Sequence, residues 1–220
     1  MHRVIGRRMV DFSPEEYAEL RKRYSAALID VGTGDGKHVL HLARGRPDWL
    51  VVGLDASADR MRKSSTRAAA SPARGGLANA LFVRAAAERL PAGLVDIDEV
   101  HVLMPWGSLL RGMVGNDRDM LAGLGTITAP GATFLVTLNL HAWRPPVPEV
   151  GEVPEPDPRW ATEQLAATYA DAGWRLDGAE YLDEARIAAL ATSWTKRLNA
   201  SRAQFDVLSL TGTFEPKPDR

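Results

Sequence analysis

The chain has no cysteine. That removes any disulfide framework and any thiolate metal site. No apolar run approaches the ~18 residues that a membrane-spanning helix needs. The opening Met1-His2-Arg3-Val4-Ile5-Gly6-Arg7-Arg8 is basic but has no apolar core of a signal peptide. A large excess of one charge is missing too, since 27 basic and 28 acidic residues give a net charge of −1. No internal repeat is present. The expectation is a soluble, cytoplasmic protein. Its 220 residues, 45% of them hydrophobic, fit one domain with room for appendages.

The charge is segregated, however. Basic residues gather at Arg3, Arg7, Arg8, Arg21, Lys22 and Arg23, then at Arg60, Arg62, Lys63, Arg67 and Arg74, then at Lys196, Arg197 and Arg202. Acids gather at Asp96, Asp98 and Glu99, and at Glu149, Glu152, Glu155 and Asp157. Such a distribution permits one positive face for phosphate. It equally describes three solvated faces with no joint role.

One stretch organises the rest: Ala27-Leu28-Ile29-Asp30-Val31-Gly32-Thr33-Gly34-Asp35-Gly36-Lys37. An apolar run meets glycines spaced by single residues, then the helical pattern Lys37-His38-Val39-Leu40-His41-Leu42-Ala43. It reads as buried strand, tight turn and helix start. A dinucleotide turn would need a third glycine where Lys37 stands. A P-loop would need Ser or Thr where His38 stands. What remains is D-x-G-x-G-x-G, with Asp55 closing the next strand, Leu50-Val51-Val52-Gly53-Leu54-Asp55. The alternative is a plain chain reversal.

Further along, Val4-Ile5 and Met9-Val10 suggest an N-terminal hairpin over residues 1–12. Ser13-Pro14-Glu15-Glu16 caps a helix running to about Tyr24. Ser57 caps a helix to about Ala70. Asn79–Arg84 reads as the third strand and Val95–Met104 as the fourth. Residues 116–128 read as a helix, Pro130-Gly131 as a turn, and Ala132–Leu138 as the fifth strand. Arg159–Ala172 reads as an amphipathic helix, Trp174–Tyr181 as the sixth strand, Asp183–Leu190 as a short helix and Phe205–Phe214 as the last strand. The linkers 139–160 and 183–204 are long enough to be functional. Residues 216–220 read as a flexible tail after a single domain over 1–215. Trp49, Trp160 and Trp174 fall in element-like patterns and are expected in the core.

Trp106 and Trp194 differ, because both fall on loops at the carboxyl side of strands, beside small polar residues. Two indoles there would sandwich a planar group; the plainer reading makes them a lid on the core. Met104-Pro105-Trp106 also occupies the position where amino-methylating DNA enzymes carry an Asn or Asp before Pro-Pro-aromatic. Here the polar residue is missing and the aromatic platform is kept.

The glycine turn with Asp55 resembles motif I and the ribose-binding acid of class I S-adenosylmethionine-dependent methyltransferases. Together with Met104-Pro105-Trp106-Gly107-Ser108-Leu109-Leu110-Arg111-Gly112 and Thr192-Ser193-Trp194-Thr195-Lys196-Arg197-Leu198, the chain is similar to the aminoglycoside-resistance 16S rRNA (adenine-1408-N1) methyltransferases, the kanamycin-apramycin resistance family. The resemblance implies an α/β Rossmann-like fold with a seven-stranded, mostly parallel sheet, helices on both faces and the hairpin as an extension. It implies S-adenosylmethionine as cofactor, held by Asp30, Gly32, Gly34, Asp55, Ala56, Ala87, Glu88, Met104 and Ser193. It implies a flipped adenine between Trp106 and Trp194. The partner would be 16S rRNA in the assembled 30S subunit, gripped by Arg60, Arg62, Lys63, Arg67, Lys196, Arg197 and Arg202, with the enzyme a monomer and no metal involved. Rival expectations are a methyltransferase acting on another RNA base or a small aromatic molecule, and a non-catalytic binding module.

Overall fold

The structure is a computed structural model, and the residues it describes are 1–115, 117–144, 150, 152–192 and 207–216. Its local elements follow from the side chains at their ends. Helix α1 (Pro14–Arg21) starts on a capping box. The Ser13 hydroxyl accepts from Glu16 N at 3.1 Å, and the Glu16 carboxylate accepts from Ser13 N at 2.7 Å. Strands β3 (Ala26–Val31) and β4 (Trp49–Asp55) are almost wholly buried, as expected for apolar runs covered on both faces. Helices α2 (Lys37–Gly45) and α3 (Ala58–Ala68) follow them.

Strands β1 (His2–Ile5), β2 (Arg8–Asp11), β5 (Ala80–Arg84), β6 (Ile97–Leu103), β7 (Thr128–Asn139), β8 (Trp174–Tyr181) and β9 (Val207–Phe214) complete one sheet, ordered β2-β1-β5-β4-β3-β6-β7-β9-β8. The expected seven strands form its larger part, with β9 antiparallel between β7 and β8. The count of seven was too low. The hairpin does not stand apart; β1 pairs antiparallel with β5, His2 opposite Arg84, which makes the sheet nine-stranded. An unpaired β5 edge would expose backbone donors and acceptors, and the hairpin covers them.

Connection order reverses beside β3, which lies between β4 and β6. The crevice beyond the carboxyl ends of such strands is where open α/β sheets bind ligands. The order of elements places the glycine turn, Asp55, the β5 end and Met104 there.

Some boundaries differ from the sequence reading. Helix α5 (Arg118–Gly125) is capped by Asp117, whose carboxylate accepts from Met120 N at 3.0 Å. Pro130-Gly131 is no turn before a strand but an irregularity within β7, opposite a register shift between Ile97 and Glu99. The helix after the long linker runs as α6 (Pro158–Trp160), a π-helical stretch (Ala161–Leu165) and α7 (Ala166–Asp171). Of the three tryptophans expected in the core, Trp174 is there. Its indole N–H donates to Leu121 O at 2.9 Å, and its ring meets Phe134 edge-on at 5.3 Å. Trp49 and Trp160 pack on the core only partly buried. Each lies at the margin of its element, and the Arg46 guanidinium covers the Trp49 ring at 4.9 Å.

Gly36, the N-cap of α2, has φ +70, and a Cβ there would lie 2.5 Å from the Phe82 ring. Left-handed strain costs about 1–2 kcal/mol and overpacking about 1–3 kcal/mol. Gly36→Ala is therefore expected to destabilise the fold by about 2–4 kcal/mol, read from the midpoint of urea unfolding.

Candidate active site

A cleft of about 520 Å3 opens at the carboxyl ends of β3, β4, β5 and β6. That size suits a small-molecule ligand. Its floor is the glycine turn. Gly32 N and Thr33 N both donate to Leu54 O, at 2.8 and 3.0 Å, and Gly34 N donates to Asp55 Oδ2 at 2.9 Å. Asp55 Oδ1 accepts from Ser57 N at 2.8 Å. Two backbone donors thus fix the Asp55 carboxylate, and its remaining lone pairs are available to hydroxyl groups in the cleft. Gly32 is required twice over: its φ is +73, and a Cβ would lie 2.6 Å from Leu109 Cδ2.

Asp30 lies below this floor, 3% exposed, and accepts from Thr33 Oγ1 at 2.6 Å. Burial pushes its carboxyl up to about 6, against the opposing pull of the Thr33 hydroxyl and of His101. A cation brought beside it would favour its ionised form and offset the cost of burial.

The opposite wall is the end of β6. Met104 has φ +48, strained for a residue with a side chain. Its N–H is held by Thr137 O at 2.8 Å and Thr137 Oγ1 at 3.1 Å. Gly107, at φ +62, opens helix α4 (Gly107–Met113). Between these two left-handed residues Pro105 and Trp106 line the cleft, with Trp106 43% exposed. Leu109 of α4 closes on Gly32, so the two informative stretches of the sequence pack on each other. At the β5 end, Ala85, Ala86, Ala87 and Glu88 form the third wall. A hydrogen bond from the Ser108 hydroxyl holds Glu88 below the usual carboxylate range.

Of the residues expected at the cofactor, Asp30, Gly32, Gly34, Asp55, Ala56, Ala87, Glu88 and Met104 all line this one cleft, and Trp106 lines it with them. Arg60 reaches its rim. Arg62, Lys63 and Arg67 lie further along α3. Ser193, Trp194, Lys196, Arg197 and Arg202 lie outside the described residues. Thr192 lines the cleft just before them, after Ala191 at φ +52.

Sequence reasoning missed a buried chain behind the turn. His38 Nε2 lies 2.9 Å from His101 Nδ1, His101 Nε2 lies 2.7 Å from Glu99 Oε1, and Arg46 donates to Glu99 Oε2 at 2.6 Å. Burial, helped by His101, pushes His38 down to about 3. Burial alone would raise Glu99, but the His101 and Arg46 hydrogen bonds overcome it and bring it down to about 2. The signal was present: Glu99 and His101, two apart on a strand, share a face.

Comparison with known proteins decides the family. The family model for NpmA, 16S rRNA (adenine(1408)-N(1))-methyltransferase, matches residues 2–213. The chain belongs to this family. A 16S rRNA (adenine(1408)-N(1))-methyltransferase of Streptoalloteichus hindustanus is 56% identical over 216 residues, 98% of this chain and 100% of that protein. The solved 16S rRNA methyltransferase KamB matches at a TM-score of 0.95 and 56% identity, covering 98% of this chain and 100% of that one. A tryptophan-to-alanine variant of the Catenulisporales acidiphilia enzyme, solved with cosubstrate S-adenosylmethionine, matches at 0.89 and 35% identity over 100% of this chain and 99% of its own. The fold is that of a class I methyltransferase, and S-adenosylmethionine is the cofactor. The cleft fits it, because a buried acid awaits a cation and a fixed carboxylate awaits hydroxyls.

Asp30 also shapes stability. Folding raises its carboxyl above the unfolded value of 3.8, so the contribution is complete below about pH 4 and lost as pH rises through about 6. Two units correspond to at most about 3 kcal/mol. Without cofactor, Asp30→Asn is expected to gain stability over the wild type as pH rises from 4 to 7. The difference between the two urea-unfolding curves across that range measures it.

Proposed function

We propose that this protein transfers a methyl group from S-adenosylmethionine to N1 of adenine 1408 of 16S rRNA in the assembled 30S subunit, and so protects ribosomes from aminoglycosides. It does so as a cytoplasmic monomer, with one catalytic domain over residues 1–215 and the linkers 139–160 and 183–204 facing the RNA. The observation that carries the reading is Trp106, displayed at the cleft by two left-handed residues beside the wall that meets the cofactor.

The relatives support it: the S. hindustanus protein carries this activity in its name. Asp55 takes the ribose hydroxyls, Asp30 faces the cationic methionine end, and Gly32, Gly34 and Ala56 admit the cofactor closely. Ala87 and Glu88 border the adenine ring, with Met104 and Ser193 closing the pocket. When bound, S-adenosylmethionine supplies an electrophilic methyl group for the N1 lone pair. N1 carries no proton at neutral pH, so the protein needs no general base, and its task is to position the ring and exclude water. Trp106 and Trp194 hold the extruded adenine. Extrusion costs a few kcal/mol, and stacking returns ~1–3 kcal/mol per base. Indole faces also favour the cationic methylated ring by ~0.5–2 kcal/mol. Interactions that strengthen as charge develops lower the barrier itself. Arg60, Arg62, Lys63 and Arg67 on α3, with Lys196, Arg197 and Arg202, take the rRNA phosphates.

Tritiated cofactor and purified 30S subunits test the reading. The wild type is expected to label 16S rRNA and to stop primer extension at adenine 1408. Trp106→Ala is expected to lower the rate at least 100-fold and to leave cofactor affinity within about threefold by calorimetry. Label in a small molecule, or none at all with a folded enzyme, would overturn the assignment.

A further inference from the structure

The first basic cluster of the sequence does not stay together. Arg21 pairs with Asp98 at 2.8 Å and Lys22 with Glu19 at 2.7 Å. Arg3 turns inward, its guanidinium 5.8 Å from the Phe12 ring centre. Arg23 lies exposed just beyond the end of α1, away from the hairpin, and Arg7 and Arg8, both exposed, stand at the tip of the β1–β2 hairpin. That tip is seated on α3. Gly6 N donates to Ser65 Oγ at 2.9 Å, and Gly6, at φ +62, leaves no room for a Cβ against Thr66 Oγ1.

Helix α3 carries all of the second cluster but Arg74, which lies in the turn Pro72–Arg74 beyond it. Arg60, at the cleft rim, and Lys63 and Arg67 are exposed on successive turns, with Arg62 half-buried beside them. From Arg60 to Arg67 the helix rises about 10 Å at 1.5 Å per residue. Ser65 and Thr66 then meet the hairpin tip. Among the described residues, no carboxylate comes within 4.0 Å of the six cations Arg7, Arg8, Arg60, Arg62, Lys63 and Arg67. Several surface arginines elsewhere are paired, Arg144 with Glu155, Arg159 with Glu163 and Arg186 with Glu180, each at 2.7 Å; what sets these six apart is that they are contiguous across α3 and the hairpin tip. The acids nearest in sequence are Asp59 at the start of α3 and Asp11 at the end of β2, and Asp11 is taken by His2 at 3.1 Å. Unpaired cations in line fit a partner with a regular row of negative charge.

We propose that the hairpin tip, through Arg7 and Arg8, continues the α3 cations as one phosphate-binding track, and that it grips rRNA backbone beyond the target base. The track rests on the reading of this protein as an rRNA methyltransferase. Hydrogen bonding of Gly6 to Ser65 makes the backbone of the tip a fixed part of that surface rather than a loose arm, so only the two side chains are ordered on binding.

The test is the double variant Arg7→Ala/Arg8→Ala, compared with Arg7→Lys/Arg8→Lys. Each phosphate contact contributes about 0.7–0.9 to the slope of log affinity against log salt. The alanine pair is expected to bind 30S subunits about 30-fold more weakly at 0.1 M salt, with the slope reduced by about 1.5. KM for 30S should rise in step, while kcat, cofactor affinity and unfolding midpoint stay at wild-type values. The lysine pair should restore most of the affinity. Unchanged affinity and slope in the alanine pair would overturn the track, and if Lys63→Ala/Arg67→Ala weakened binding in the same assay, the methyltransferase reading would survive that failure. A wild-type protein that neither binds nor methylates 30S would overturn both.

Discussion

The parallel register of β3 on β4 is the constraint on which the site depends. Val31 lies opposite Leu54 and Asp30 opposite Gly53, so the turn leaving β3 meets the last two residues of β4. From that placement the Leu54 carbonyl takes two turn amides and the Asp55 carboxylate takes a third. A slip of one residue would turn Asp55 to the other face and leave three amides without acceptors. The same register brings Gly53 under Val39, Phe82 and Thr33, each within 3.1 Å of where its Cβ would stand. Sheet pairing, helix seating and the ligand floor are thus one arrangement.

Around that floor the acids divide the electrostatic work by environment. Asp55 is tied to backbone donors and presents fixed acceptors. Among the described residues Asp30 has one hydroxyl donor, from Thr33, and no ion pair, and its burial is tolerable because protonation is accessible near pH 6. Behind them Glu99 has both a guanidinium and an imidazole, which keep it charged, while burial, with His101 beside it, holds His38 neutral. His101 links this group to the strand that ends at the cleft, with one ring nitrogen on His38 at 2.9 Å and the other on Glu99 at 2.7 Å. Three carboxylates on three adjacent strands are compatible because their partners differ this much.

What was legible in the sequence was local. The glycine turn, the Ser13 cap and the span Trp174–Tyr181 are written in residues adjacent along the chain, and the structure has them where they were expected. What was not legible depended on residues far apart. Nothing in His2-Arg3-Val4-Ile5 says that the strand will pair with β5 and extend the sheet. Pro130-Gly131 carries a turn signature that the pairing of β6 with β7 overrides. Thr137, wholly buried, looks like any strand threonine until its hydroxyl is found on Met104 N. The cleft residues were nameable because a binding turn must be local; the residues that hold them in place were not, because support comes from neighbouring strands.

Met104 also bears on which nitrogen of the base reacts. Methylating an exocyclic amine calls for an acceptor that takes its N–H and draws its lone pair out of conjugation. At the β6 end this chain offers a thioether side chain, a proline and an indole. Methionine sulfur is a weak acceptor, proline lacks an N–H, and indole only donates. The side chains of such a wall give an amine no acceptor comparable to an Asn or Asp, whereas a ring nitrogen with an in-plane lone pair needs none. The strain at Met104 acts in the same direction. It fixes the backbone that carries Trp106, so that stretch of the cleft wall needs no ordering when a ligand enters.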